Sequence, residues 1–222
     1  MEARLTGIDR SEMLRYLRYA GSAIPDDTEK ALRLGEERLL QAARPRAVWR
    51  AFGYRAGEPL DGTDFRLEGE DIRAFLSGCD TVILLAATLG AEPDLLQKQL
   101  RLRDMGAAVI LDAAGSAAIE NVCDNFCADL AAAFAPRYLT ERFSPGYGDM
   151  PLRQQSGFFR LLDINRRLGV SLTDSGLMVP QKTVTAVVGV SDRPQPGRHA
   201  GCENCTMAGD CAFRKEGKTC GK

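Results

Sequence analysis

The alternation of apolar and polar positions along the chain predicts helices interleaved with short strands. Ser11 can cap a first helix in which Met13, Leu14, Tyr16 and Leu17 share an apolar stripe. A second helix is expected after Pro25, with Asp26 and Asp27 near its positive end and Ala31, Leu34, Leu39 and Leu40 facing inward; Pro45 ends it. "AVWRAFGYR" alternates as a strand, and "FRLEG" is its expected partner across the turn "GEPLDGTD". The short helix "EDIRAFLSG" leads into "DTVILLAATLG", which is apolar enough for a buried strand. From Glu92 one helix runs to about Met105, and a longer alanine-rich one covers roughly 106–134, its small residues suited to close packing. Pro136 stops it. "ERFSPGYGDMPL" reads as a loop, and "RQQSGFFRLLDINRRLG" as one amphipathic helix closed by Gly169. Two strands, "VSLTDSGLMV" and "KTVTAVVGVS", meet around Pro180. These elements predict an α+β fold, a twisted antiparallel or mixed sheet with flanking helices.

Charge narrows the function classes. With 29 basic and 30 acidic side chains the net charge is −1, which supplies no field for a polyanion and argues against nucleic acid. The N-terminal stretch "MEARLTGIDRSEMLRYLRYAG" carries charges throughout and reads as neither signal peptide nor anchor. "TVILLAATLGA" and "GAAVILDAAG" are too short or too interrupted to span a bilayer, so a cytoplasmic protein without membrane attachment is expected. In that reducing setting, seven cysteines favour thiols, metal ligands or redox sites over structural disulfides.

Four of those cysteines crowd the C-terminus. Residues 1–192 read as one folded unit, and 193–222 as a proline- and glycine-rich linker followed by a cysteine-rich tail. Cys202, Cys205, Cys211 and Cys220 are separated by gaps of two, five and eight residues, with Asn204, Gly209 and Gly217 offering turns between them. Such grouping suits thiolates wrapped around one metal centre. An iron–sulfur cluster, of the 4Fe-4S type, is the leading assignment; a structural zinc knot is the alternative, and inert thiols are the third. His199 reads as a solvated linker residue. Cys123 and Cys127 lie four apart on the long helix and read as core; Cys79 carries no signal.

"RFSPGYGD", from Arg142 to Asp149, is the most informative internal stretch. Its bland reading is a surface turn. In the functional reading, the guanidinium can bind a carboxylate through two hydrogen bonds, and the glycine lets backbone approach a ligand. The tyrosine adds a ring face and a hydroxyl, so the loop suits an amino-acid-like ligand with a flat or cationic portion.

"RFSPGYGDMPL" and "FFRLLDINRRLGVSLTDSGLMVPQKTVTAVVGVS", with weaker support from "AAIENVCDNFCADL" and "GIDRSEMLRYL", resemble the activation domain of cobalamin-dependent methionine synthase. With no homocysteine, folate or cobalamin domain in the chain, it looks like a stand-alone form of that domain. The resemblance implies S-adenosylmethionine binding, with Arg142 and Tyr147 as contacts, Pro145 and Gly146 supplying backbone, and Glu120 and Asp9 as further ligand residues. It implies no catalytic side chain. The expected role is reductive remethylation of the Co(II) corrinoid of a separate methionine synthase core chain, with the tail cluster relaying the electron and a flavodoxin or ferredoxin as donor. Two other readings stand beside it: a non-catalytic docking adaptor for a corrinoid protein, held by a zinc knot, and a reactivator of another corrinoid methyltransferase. Beyond Ser191 the chain departs from the family, whose tyrosine-bearing segment is replaced by "DRPQPGRHAGCENC".

Overall fold

The computed structural model describes residues 2–19 and 23–195. The expected metal ligands Cys202, Cys205, Cys211 and Cys220, together with His199, lie outside the described residues.

Two strands without a single charged residue form the centre. β2 (Thr81–Thr88) pairs antiparallel with β1 (Arg46–Gly53) on one side and with β6 (Thr183–Ser191) on the other. β3 (Tyr138–Leu139) adds to the far end of β6, which gives the order β1-β2-β6-β3. Continuous apolar sequence in β2 and β6 follows from their position, because both faces of the sheet are covered.

One face carries α5 (Met105–Phe134), which lays Phe126 and Leu130 on Ile83, Leu85, Ala186 and Val188. Asp104 caps it by accepting from the Ala107 amide at 3.0 Å. Its apolar composition and length would suit a membrane span, but 56% of its most apolar window is buried inside the protein. Its outer side holds α1 (Arg10–Tyr16), α2 (Asp26–Ala42) and α4 (Glu92–Arg101). Small residues make that close packing possible: a side chain at Gly35 would collide with Ile110. The opposite face of the sheet is covered by α3 (Glu70–Phe75), α6 (Gln155–Leu162) and α7 (Ile164–Leu168), with Phe158 and Ile164 fully buried. β4 (Ser171–Leu172) and β5 (Met178–Val179) form a small separate hairpin.

The α+β class with an antiparallel sheet is as expected; several local expectations are corrected. Asp9, not Ser11, caps α1, accepting from the Ser11 and Glu12 amides. On α2 the buried stripe is Leu32, Gly35 and Leu39, whereas Leu34 and Leu40 are exposed. "FRLEG" is not a strand. Thr63 closes that segment on itself, donating to the Leu60 carbonyl at 2.8 Å and accepting from the Phe65 amide at 3.1 Å. Phe65 and Leu67 are thereby turned into the core, and β2 takes the place beside β1.

The long helix expected over 153–169 is broken at Asp163, whose backbone is left-handed at φ 53°. Gly169 does close α7 as expected, at φ 68°. "VSLTDSGLMV" folds back on itself rather than running straight. The Thr173 amide donates to the Leu177 carbonyl at 2.9 Å, and Gly176 takes φ 81° in the turn between.

Candidate functional site

The fourth strand of the sheet is short, and that leaves an open edge. β3 meets only Val190 and Ser191, and Phe143 forms an isolated bridge to Val187 with hydrogen bonds of 2.9 and 2.7 Å. Residues 183–186 of β6 have no strand partner on that side among the described residues. A cleft of about 680 Å³ opens there, between α5 and the start of α6.

The "RFSPGYGD" loop forms one wall and is tied down at both ends. Its turn is closed by Gly146 N donating to the Met150 carbonyl at 2.9 Å and Met150 N donating to that of Tyr147 at 3.0 Å. Gly146 and Gly148 take φ 92° and 51°, conformations that favour glycine. The Asp149 carboxylate accepts from the Glu70 and Asp71 amides at 2.6 and 3.1 Å, capping α3, and Asp71 accepts from the Asp149 amide at 3.1 Å. The Phe143 ring packs between Phe75 and Tyr147, at centroid distances of 5.3 and 6.5 Å. Asp149→Ala removes both acceptors from the helix start and is expected to cost about 1 kcal/mol. Equal thermal midpoints for variant and parent would show that this tether carries no weight.

Glu120, Asp124 and Cys127 project into the cleft from one face of α5. Arg142 reaches across to them. Its Nη2 donates to Glu120 at 2.7 Å, and its Nη1 to Asp124 at 2.8 Å and to the Cys127 sulfur at 3.9 Å. Burial works against the Arg142 charge, but Cys123, Asp124, Cys127 and Glu120 together outweigh it and hold its pKa above the usual arginine range. Glu141 also lies on the wall, so the described lining includes three carboxylates and one guanidinium. Carboxylates on the wall would suit a ligand with a positive group. Burial, then the Glu120 charge, raises the pKa of the Tyr16 phenol, which places α1 within electrostatic reach of the same carboxylate.

Beneath the wall Cys123 is buried, as expected for core, and burial pushes its thiol up to about 12. Its folded pKa exceeds the unfolded value of 9.0, so the folded state holds the proton longer as pH rises. The thiol's contribution is intact below about pH 9 and is lost progressively as pH climbs toward its folded pKa. Stability measured at pH 8 and 10.5 should fall more for the parent than for Cys123→Ala; equal falls would contradict this. Among the described residues no group of three or more His, Cys, Asp or Glu side chains is placed to hold a metal.

Residues 124–195 match the family model "Vitamin B12 dependent methionine synthase, activation domain". A solved structure, the MetH reactivation domain bound to AdoHcy, is similar with a TM-score of 0.65 at 20% identity, over 85% of this chain and 75% of that one. The fold is that of a methionine synthase activation domain. No curated protein was found to match.

The matched segment contains nearly all of the cleft's lining: every lining residue except Glu120 falls within it. Of the residues singled out from the sequence, Glu120, Arg142, Pro145 and Tyr147 come together there, and Tyr147 is 63% exposed at its mouth. Gly146 belongs to the loop's turn and Asp9 caps α1, and neither lines the cleft. The sequence reading missed Asp124, although its spacing of four from Glu120 puts both on one helix face. It also missed Glu141, Gln155 and Thr185, for which the sequence offers no periodic signal.

Proposed function

We propose that this chain binds S-adenosylmethionine in the cleft and presents it to the corrinoid of a separate methionine synthase core chain for reductive remethylation. The coincidence of the activation-domain match with the cleft lining carries the reading. When bound, the ligand would supply the methyl group and the partner's corrinoid the nucleophile, so the chain's own task is positioning.

The residues present fit such a ligand. Glu120, Asp124 and Glu141 favour a sulfonium or ammonium group over a neutral one. Arg142 spends two terminal nitrogens on Glu120, Asp124 and Cys127, which leaves its Nε–H and one Nη2 hydrogen for a ligand carboxylate. Tyr147, projecting at the mouth, offers a ring face to a cation or a flat base. The loop's double tether to α3 keeps these groups in place before the ligand arrives.

Calorimetry with S-adenosylmethionine and S-adenosylhomocysteine tests the reading, followed by methyl transfer to a reduced corrinoid protein. Partner binding without any S-adenosylmethionine binding would favour the adaptor instead. The electron relay is a separate proposal and rests on Cys202, Cys205, Cys211 and Cys220 alone. Anaerobic purification should give a coloured protein containing iron; a colourless protein with one zinc per chain would defeat it.

A further inference from the structure

The charged wall of the cleft accounts for the ionic groups of an amino-acid-like ligand; two buried residues of the same cleft carry different chemistry. Gln155, the first residue of α6, and Thr185, on β6, both line it and are 6% and 2% exposed. Gln155 Oε1 and Thr185 Oγ1 have no hydrogen-bond partner among the described residues, and both are shielded from solvent. Buried polar atoms are nearly always paired. The neighbours of these two obey that rule. Gln154 accepts from the Glu68 amide at 3.1 Å and donates to the Arg66 carbonyl at 2.8 Å. Thr183 Oγ1, two residues back on the same strand face, lies 2.8 Å from the Pro180 carbonyl and 2.9 Å from Thr88 Oγ1. The two other unpaired buried atoms among the described residues, Arg10 Nη1 and Arg73 Nε, belong to guanidinium groups paired through other nitrogens.

An unpaired amide oxygen can only accept, and a threonine hydroxyl can accept or donate. Both are neutral, so nothing here would offset the desolvation of a charge. The matching ligand portion is neutral and carries N–H or O–H donors. We propose that Gln155 and Thr185 determine specificity by binding the nucleoside portion of the ligand through its amino or hydroxyl hydrogens. Glu120, Asp124, Glu141 and Arg142 then take the amino-acid portion. Because both oxygens are shielded, binding through them would require these side chains to turn toward the ligand. The inference rests on the S-adenosylmethionine reading above and assigns the two ends of that ligand to different parts of the cleft.

Calorimetry on the full chain, with 5′-methylthioadenosine and S-adenosylhomocysteine as probes, tests it. Gln155→Met and Thr185→Val remove the unpaired oxygens at nearly constant volume. Each is expected to weaken both probes by a similar factor, about three- to tenfold, the scale of one neutral hydrogen bond. Without ligand, their thermal midpoints should equal or exceed the parent's, because each variant removes an unpaired buried atom. Parent-like affinities in both variants would overturn the assignment. So would a lowered thermal midpoint, which would show that these oxygens serve packing. If the parent itself binds neither probe, the S-adenosylmethionine reading falls, and this assignment with it.

Discussion

Arg142→Ala is expected to weaken S-adenosylhomocysteine binding at least about tenfold, the scale of a charge-assisted contact at ~1.5–3 kcal/mol. Two effects act on S-adenosylmethionine at once. On the proposed reading, loss of the guanidinium removes the group that would receive the ligand's carboxylate. It also unmasks Glu120, which the arginine now holds at 2.7 Å, and that carboxylate attracts the sulfonium. S-adenosylhomocysteine lacks the sulfonium, so its loss should be the larger of the two. Arg142→Lys keeps the charge but not the planar fork and should fall between parent and alanine. Calorimetry with both ligands reads all of this, and unchanged affinities would remove Arg142 from the ligand site.

Phe126→Ala is expected to cost about 3–5 kcal/mol of folding stability, the range for truncating a buried aromatic. Phe126 is 1% exposed and packs under α5 against Ile83, Leu85, Ala186 and Val188. A cavity there loosens the contact between α5 and the sheet, and the same helix carries Glu120, Asp124 and Cys127 into the cleft. The variant should therefore lose ligand affinity as well, though Phe126 does not line the cleft. Urea denaturation measures the cost, and a value under about 1 kcal/mol would mean that the helix is held mainly by other contacts.

Much of the fold was legible because its signals are local. The uncharged runs in β2 and β6 mark strands covered on both faces, and the alanine-rich run of α5 marks a helix in close contact. The misreadings came where a local signal was outweighed. "FRLEG" has the residues of a strand, yet Thr63 bends the chain and the place beside β1 goes to β2. Leu34 and Leu40 look like inward residues, but Gly35 lets α5 approach along the other stripe.

By itself the sequence determined the α+β class and the positions of the central strands and long helix, and it singled out the loop "RFSPGYGD" as a candidate for binding. Those depend on side-chain pattern and turn chemistry within a few residues. Only the tertiary structure decided that Arg142 is shared by Glu120 and Asp124, that Asp149 fastens the loop to α3, and that Gln155 and Thr185 lie in one cleft with unpaired oxygens. Each of these is a meeting of groups far apart in the chain. Pairing, desolvation and shared acceptors arise only when folding brings such groups together, and no periodicity within either segment records them.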